Sequence, residues 1–185
     1  MKLIYKARGL LMVPPALFSL LCTWNEVENE AIIWGMGGIL FLLGLFLRVW
    51  SQMHLHYRLK IKMILITTGP YRYCRNPIYI GNTLLLLGFV AMAELLWFIP
   101  VMLIYCMIVY SLVVRYEEAY LIKRYGKPYE DYLNKVHRWM PAGMNPSIDA
   151  NTQFSNAKQN FFPSVVAEMH ILLMILPLVF KELVT

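Results

Sequence analysis

Residues 64–79, which read ILITTGPYRYCRNPIY, concentrate groups that can bind a charged or aromatic ligand. A Gly-Pro turn is followed within ten residues by two arginines and three tyrosines, namely Tyr71, Arg72, Tyr73, Arg75 and Tyr79. Pro77 suits the first turn of a helix, so Arg75 and Asn76 are expected at a helix N-terminus, where free backbone N–H groups attract anions. The alternative is a simple interfacial anchor, because arginine and tyrosine collect at the edge of any membrane protein.

A second group, Arg115-Tyr116-Glu117-Glu118, comes at the end of a long apolar run. Two carboxylates so close to a bilayer are costly unless they are paired. Adjacent residues of a helix point about 100° apart, so the two carboxylates cannot easily share one partner. We therefore expect one of them to face a pocket while the other meets Arg115 or solvent. A solvated helix end is the alternative.

The third group contains His54 and His56. A spacing of two places these histidines on different faces of a helix, and no cysteine or glutamate nearby completes a set of metal ligands. We expect no metal site here. A contact to a cofactor or a role as proton acceptor stays open, and an interfacial histidine without a special role is the alternative.

The composition indicates what must position these groups. The chain has 185 residues, of which 59% are hydrophobic and only 15% charged, whereas soluble domains carry about 25% charged residues. The sequence therefore predicts an all-α, polytopic transmembrane helical bundle among membrane lipids. The net charge of +6 is interpreted as a signal of membrane topology and not of nucleic-acid binding.

Four apolar stretches predict about five spans. Residues 9–24 contain Pro14-Pro15, where we expect a kink or a break. Residues 31–50 form a second span with glycines for close helix packing, Gly35, Gly37, Gly38 and Gly44. Residues 78–114 are too long for one span and predict a helical hairpin that turns near Glu94. Residues 161–180 are the last apolar segment.

The chain after the hairpin predicts a cover for a pocket. The fourth helix is expected to run to Tyr125 and to end at Gly126, a typical C-terminal cap. Pro128 then starts a short interfacial helix. Its apolar stripe consists of Tyr129, Tyr132, Leu133 and Val136.

The basic residues predict the orientation. Three precede the first span, six lie between the second and the third, and seven follow the fourth, which accounts for sixteen of the seventeen lysines and arginines. Because basic residues stay on the cytoplasmic side, the N-terminus and all three groups above are expected to face the cytoplasm.

Several of these parts occur together in one known superfamily. GPYRYCRNPIY, followed by EE, by YGKPYEDY and by Met140-Pro141, resembles the isoprenylcysteine carboxyl methyltransferases and phospholipid methyltransferases, over roughly residues 48–141. The resemblance implies a membrane enzyme that uses S-adenosylmethionine in a cytoplasmic pocket on a lipid-like acceptor that enters from the bilayer. We expect the inner membrane of a bacterium rather than the endoplasmic reticulum. The domains are then N-terminal transmembrane helices (1–50), a methyltransferase core (51–141), a polar linker (142–160) and a C-terminal apolar helix (161–185).

The resemblance also assigns residues. The cofactor contacts that we expect, with Arg75 added for the cofactor carboxylate, are His56, Met63, Ile64, Leu65, Ile66, Tyr71, Arg75, Asn76, Pro77, Ile78, Tyr79 and Glu117. The catalytic candidates are Arg115, Glu118 and His54. Two positions depart from the pattern. The family often has Arg-His-Pro where this chain has Arg75-Asn76-Pro77, and the isoprenylcysteine enzymes carry a substrate-binding arginine at the position of Val113.

The predicted function is methyl transfer from S-adenosylmethionine to a membrane-resident, lipid-like acceptor such as an isoprenylcysteine-type carboxylate, without a metal. An alternative within this class is N-methylation of phosphatidylethanolamine. An alternative of another class is an NADPH-dependent sterol or prenyl reductase, although the phosphates of that cofactor call for more clustered arginines and lysines. A non-catalytic membrane scaffold is the third alternative.

The predicted topology can be tested with single cysteines. In a background without the native Cys22, Cys74 and Cys106, Asn29→Cys should react with a membrane-impermeant maleimide in intact cells, because its acidic loop is expected outside. Asn156→Cys, in the polar linker, is the matched control and should react only after the membrane is permeabilised. The reverse pattern would contradict the topology and the shared cytoplasmic pocket.

Overall fold

The computed structural model describes residues 7–22, 24, 30–60, 65–140 and 158–184. These residues form an all-α bundle without a strand, which confirms the predicted fold class. The α-helices are α1 (Val13–Leu21), α2 (Glu30–Lys60), α3 (Pro77–Met92), α4 (Ile99–Tyr125), α5 (Lys127–Lys135), α6 (Phe161–Glu168) and α7 (Ile175–Val184). Short 3-10 helices cover Leu10–Met12, Gly69–Arg72, Leu96–Phe98 and Met169–Met174. We call Phe161–Val184 the C-terminal segment.

Three helical stretches within the described ranges are long and apolar enough to cross a membrane: Ala31–Leu55, Leu96–Tyr125 and Phe161–Lys181. The other two predicted spans correspond to the shorter apolar helices Leu10–Leu21 and Pro77–Met92. The outward faces of the long helices carry exposed large apolar side chains, among them Leu42, Phe46, Ile104, Met107 and Ile108. Such faces suit contact with lipid, so the bundle is of the membrane type.

A kink or a break was predicted at Pro14-Pro15, and the segment changes helix type there: the 3-10 helix Leu10–Met12 gives way to α1 at Val13. The prolines lie in the first turn of α1 and do not kink it, because a first-turn proline lacks only an N–H that has no helical partner there. α2 continues to Lys60, ten residues past the predicted end at Trp50. The proposed domain boundary at residue 50 therefore falls inside a continuous helix.

The predicted hairpin is confirmed. α3 ends at Met92, and Glu94 takes a positive φ of 66° in the turn before the 3-10 helix that leads into α4. At the other end of α4, Gly126 adopts a φ of 61° and separates α4 from α5. Glycine tolerates this left-handed backbone without the steric penalty of a Cβ, which is why the two helices can change direction there.

Glycines bring α2 and α3 into backbone contact. A Cβ at Gly44 would lie 2.7 Å from the carbonyl oxygen of Gly81 and from the amide nitrogen of Leu85. A Cβ at Gly88 would lie 2.6 Å from the carbonyl oxygen of Gly37. Small residues allow this close approach. The predicted packing role is thus confirmed for Gly44, whereas Gly38 faces open space.

The C-terminal segment is fastened to this helix pair. α6 packs on α2, where Arg48 Nε donates to Glu168 Oε2 at 2.8 Å. Near the other end of the segment, Lys181 Nζ donates to the carbonyl oxygens of Cys22 and Ala93, both at 3.4 Å. The segment therefore contacts the bundle through charged groups at both ends.

Gly44→Ala should destabilise the bundle, because its Cβ meets backbone atoms that cannot rotate away. Overpacking of this kind costs about 1–3 kcal/mol. Gly38→Ala, on the same helix, is the matched control and should leave the unfolding temperature unchanged or slightly higher, since alanine favours helices. Thermal unfolding of both variants in one detergent measures the difference. Equal unfolding temperatures would contradict a glycine-dependent α2–α3 contact.

Candidate active site

One cavity of about 660 Å³ runs through the bundle. Its size is typical of pockets that hold small organic ligands, which span about 300–1,000 Å³. Its polar end is lined by Tyr71, Tyr79, Glu117, Tyr129 and Tyr132. From there the cavity continues between α1, α2, α3 and the C-terminal segment, where apolar side chains predominate.

Glu117 lies on the cavity side of α4. Its Oε2 accepts a hydrogen bond from the Tyr79 hydroxyl at 3.0 Å. The Tyr79 ring lies against that of Tyr110, with 5.0 Å between the ring centroids, which fixes the hydroxyl that orients the carboxylate. No lysine or arginine in the described part of the chain forms an ion pair with Glu117. Within the described ranges, the Glu117 carboxylate therefore has no ion-pair partner, although the Arg75 guanidinium lines the same cavity.

Glu118 is buried, with 8% of its surface exposed, and contacts two arginines. Arg138 donates from Nε to Glu118 Oε1 at 3.2 Å and from Nη2 to Oε2 at 2.5 Å. Arg75 Nη2 lies 3.5 Å from Oε1. The two adjacent carboxylates thus have separate partners, as the helical geometry requires. The partner of Glu118 is not Arg115, which is exposed and does not line the cavity.

Arg75 and Asn76 hold the chain that follows α5. The Arg75 backbone N–H donates to the carbonyl oxygen of His137 at 2.9 Å. Asn76 Nδ2 donates to the carbonyl oxygen of Arg138 at 3.2 Å. The Nε of Arg75 is buried and has no hydrogen-bond partner among the described residues. Arg75 lines the cavity, so its guanidinium adds positive charge to the polar end.

α5 covers the polar end of the cavity with its apolar stripe, as predicted. Tyr129 and Tyr132 are buried and line the cavity, and the Tyr132 hydroxyl donates to the carbonyl oxygen of Tyr71 at 2.6 Å. Burial raises the pKa of all three phenols, and the Glu117 carboxylate adds to the shift at Tyr71. The tyrosines are therefore neutral hydrogen-bond donors with apolar ring faces around one carboxylate.

His54 lies outside the cavity. Its ring is 2% exposed, its Nδ1 is 3.0 Å from Thr68 Oγ1, and a Cβ at Gly69 would lie 2.3 Å from its Nε2. Because α2 continues to Lys60, His54 lies on this helix. Its ring packs against the turn at Gly69. This geometry gives His54 a role in holding the loop and does not support its predicted role as proton acceptor.

The remaining predicted contacts fall into three groups. Residues that line the cavity, in addition to those above, are Leu65, Ile66, Asn76 and Ile78. Pro77 is buried at the start of α3 without lining the cavity. Met63, Ile64 and the side chain of His56 lie outside the described residues.

The sequence reasoning missed polar residues deeper in the cavity. Arg48 and Asn82 line it and are hydrogen-bonded to each other, and Glu168 pairs with Arg48. A signal was available, because charged residues inside apolar runs are rare unless they are paired or functional. The opposite charges at positions 48 and 168 were a predictable pair.

Comparisons with known proteins agree with this geometry. A family model described as phospholipid methyltransferase matches residues 32–128, just over half of the chain. The nickel-cobalt-cadmium resistance protein NccN of Alcaligenes xylosoxydans xylosoxydans is 25% identical over 118 residues, which are 64% of this chain and 54% of that protein. The cobalt-zinc-cadmium resistance protein CzcN of Cupriavidus metallidurans is 30% identical over 118 residues, 64% of this chain and 53% of that protein. The chain thus spans about half the length of these curated relatives. No solved structure matches.

Glu118→Gln should destabilise the fold, because it removes the charge that pairs with Arg138 and Arg75. Hydrogen bonds to charged groups contribute about 1.5–3 kcal/mol to stability. Glu117→Gln is the matched control and should unfold near the parent temperature, since glutamine can still accept from the Tyr79 hydroxyl. Thermal unfolding in one detergent compares them. Both carboxylates line the cavity, and of the two only Glu118 forms ion pairs among the described residues. A larger loss for Glu117→Gln would contradict the assignment of the stabilising ion pairs to Glu118.

Proposed function

The chain belongs to the phospholipid methyltransferase family, and we propose that it transfers a methyl group from S-adenosylmethionine to a membrane-resident, lipid-like acceptor. The observation that carries the proposal is the Glu117 carboxylate, which faces the cavity without an ion-pair partner among the described residues. A cationic ligand would supply that partner. The distribution of basic residues supports a cytoplasmic position for this end of the cavity.

The residues at the polar end fit the chemical groups of S-adenosylmethionine. When bound, this cofactor supplies a methyl group on a sulfonium, and the sulfur keeps the electron pair of the broken C–S bond as an uncharged thioether. Glu117 suits the positive charges of the cofactor, and the guanidinium of Arg75, which lines the cavity, suits its carboxylate. The ring faces of Tyr71, Tyr129 and Tyr132 suit the adenine. We propose these residues, together with Tyr79, as the cofactor site.

Methyl transfer asks little of the protein beyond position. Two reactants held about 3–3.5 Å apart in the right orientation gain most of what an active site provides. A carboxylate acceptor needs no base, whereas an amine acceptor must lose a proton. Asn76 cannot take a proton, and Glu118 already accepts from two guanidinium groups. The protein therefore contributes cofactor binding, orientation and a cavity sheltered from water.

N-methylation of a phospholipid amine is the second candidate. The observation that favours it is the absence of an α4 arginine from the cavity wall: Val113 is fully buried and Arg115 is exposed outside the cavity. An isoprenylcysteine-type carboxylate would lack the arginine that the corresponding enzymes use. The identity of the acceptor is therefore proposed only as lipid-like.

The names of the two curated relatives refer to metal resistance. Across the described residues, no three histidine, cysteine, aspartate or glutamate side chains come together as they would around a metal ion.

Cofactor binding to the purified protein in detergent tests the proposal. S-adenosylmethionine should bind saturably. Glu117→Gln should weaken it by about ten- to a hundredfold, the value of a hydrogen bond to a charged group. Tyr79→Phe should also weaken it, because the carboxylate loses the hydroxyl that orients it. Tyr73→Phe is the matched control, since Tyr73 is exposed and packs against Trp50.

Two results would contradict the proposal. One is saturable binding of NADPH without binding of S-adenosylmethionine, which would favour the reductase. The other is parent-like affinity of Glu117→Gln in a sample that unfolds like the parent. Incubation of membrane lipids with S-adenosylmethionine labelled at its methyl group, followed by mass analysis of the labelled lipid, identifies the acceptor.

A further inference from the structure

The turn that brings Tyr71 to the cavity is too short to hold its own position. Its 3-10 helix consists of Gly69–Arg72, and residues 65–68 before it form neither helix nor strand. A single helical turn fixes several backbone dihedrals in return for one hydrogen bond, so it is unfavourable without outside contacts. Tyr71 is buried and lines the cavity. The position of its ring therefore depends on what packs against the turn.

The Thr68 hydroxyl joins the turn to α2. Thr68 is the N-cap of the 3-10 helix, and within the described chain its side chain makes no capping hydrogen bond. A threonine at this position usually accepts a hydrogen bond from a backbone N–H of its own helix. Here the hydroxyl oxygen lies 3.0 Å from Nδ1 of His54 instead, and both side chains are buried. A group suited to local capping therefore makes a contact between two elements.

The His54 ring occupies the space that a side chain at position 69 would need. A Cβ on Gly69 would lie 2.3 Å from Nε2 of His54 and 2.5 Å from its Cδ2. Gly69 also has a φ of 60°, which glycine adopts without steric penalty. Glycine thus serves both the backbone conformation and the approach of the ring. The imidazole rests directly on the backbone of the turn and limits how far it can move towards α2.

The turn in turn holds α5 over the cavity. The Tyr132 hydroxyl donates to the carbonyl oxygen of Tyr71 at 2.6 Å, and Tyr132 lines the cavity from α5. Three residues after the turn, the backbone N–H of Arg75 donates to the carbonyl oxygen of His137 at 2.9 Å. A displaced turn would therefore move the Tyr71 ring and weaken the attachment of α5 as well.

His54 is not merely a space-filling ring. Its Nε2 is buried and has no hydrogen-bond partner among the described residues, and an unpaired buried polar atom costs free energy. An apolar ring of similar size would fill the same space without that cost. What histidine adds is the contact between Nδ1 and the Thr68 hydroxyl, which points to a role in holding the turn at one position.

We propose that His54 is a positioning residue of the cofactor site, which presets the turn so that Tyr71 and α5 can close on S-adenosylmethionine. His54 does not line the cavity, so it acts only through Thr68 and Gly69. A turn that is ordered before the ligand arrives raises affinity, because binding then does not have to order it. This inference rests on the proposed function for the identity of the ligand.

Removal of one hydroxyl tests the polar contact. Thr68→Val should raise the Kd for S-adenosylmethionine about two- to tenfold, the value of one hydrogen bond, while turnover at saturating cofactor stays near the parent rate. Thr68→Ser restores the hydroxyl and should restore the Kd. Thr67→Val is the matched control, because it removes the neighbouring buried hydroxyl and keeps the one that contacts His54.

A merely structural loss would give a different result in Thr68→Val. Fewer molecules would bind cofactor and turnover would fall with them, but the Kd of the folded fraction would not move. That result would overturn the inference. Thermal unfolding in the same detergent gives the folded fraction.

A double-mutant cycle tests the contact between ring and backbone. Gly69→Ala should raise the Kd at least about tenfold in the parent, since overpacking against the ring adds to the penalty of a positive φ. In a His54→Ala background the ring is gone and only the φ penalty remains, so the same change should raise the Kd by a smaller factor. Equal factors in the two backgrounds would show that the ring does not set the turn.

Amide hydrogen exchange of the ligand-free protein tests the turn without any cofactor. Residues 71–75 should exchange faster in Thr68→Val and His54→Ala than in the parent, whereas residues 100–112 of α4 should exchange as in the parent. Parent-like exchange of residues 71–75 in both variants would overturn the inference. If the parent binds no S-adenosylmethionine, the proposed function fails, and the exchange rates still decide whether His54 holds the turn.

Discussion

The pairing of charges in a low-dielectric setting is the constraint on which this structure depends. At the end of α4 two adjacent carboxylates must find different partners, because a helix points them in different directions. Glu118 takes Arg138 and Arg75, and these contacts fasten the chain after α5 to the start of α3. Glu117 keeps only a tyrosine hydroxyl. Charge pairing therefore closes the cavity around Glu118, while Glu117 faces the cavity without an ion pair among the described residues.

The rule applies a second time inside the apolar part of the bundle. Arg48 and Glu168 each would be costly alone in a span, and together they join α2 to α6. Glycines bring the backbones of α2 and α3 together, since Gly44 and Gly88 carry no side chain that would separate them. Arg48 also donates to Asn82 between these two helices. Charge pairing and close backbone packing thus divide the work: one attaches the peripheral segment and the other builds the central helix pair.

Local signals in the sequence predicted the helices and turns better than the directions in which individual side chains point. The end of α4 at Gly126 and the start of α5 near Pro128 follow from backbone preferences of single residues, and the turn near Glu94 follows from the length of the apolar run; the structure has all three. Which way Arg115 and His54 point depends on helix phase and on neighbours distant in sequence. Arg115 faces outward, and His54 lies under a turn fourteen residues later. No local pattern in the sequence could have shown either of these two orientations.

The cavity has two kinds of lining: its polar end lies under α5, and its apolar part lies between α1, α2, α3 and the C-terminal segment. A reactant that arrives from water is measured in moles per litre, but one that arrives within a bilayer is measured as a fraction of the lipid. For an enzyme of this shape, added detergent or foreign lipid lowers the second concentration without touching the first. For the lipid-like acceptor proposed above, the rate in a vesicle would then be governed by surface dilution, and enlarging the aqueous volume around the membrane would leave the supply of acceptor unchanged.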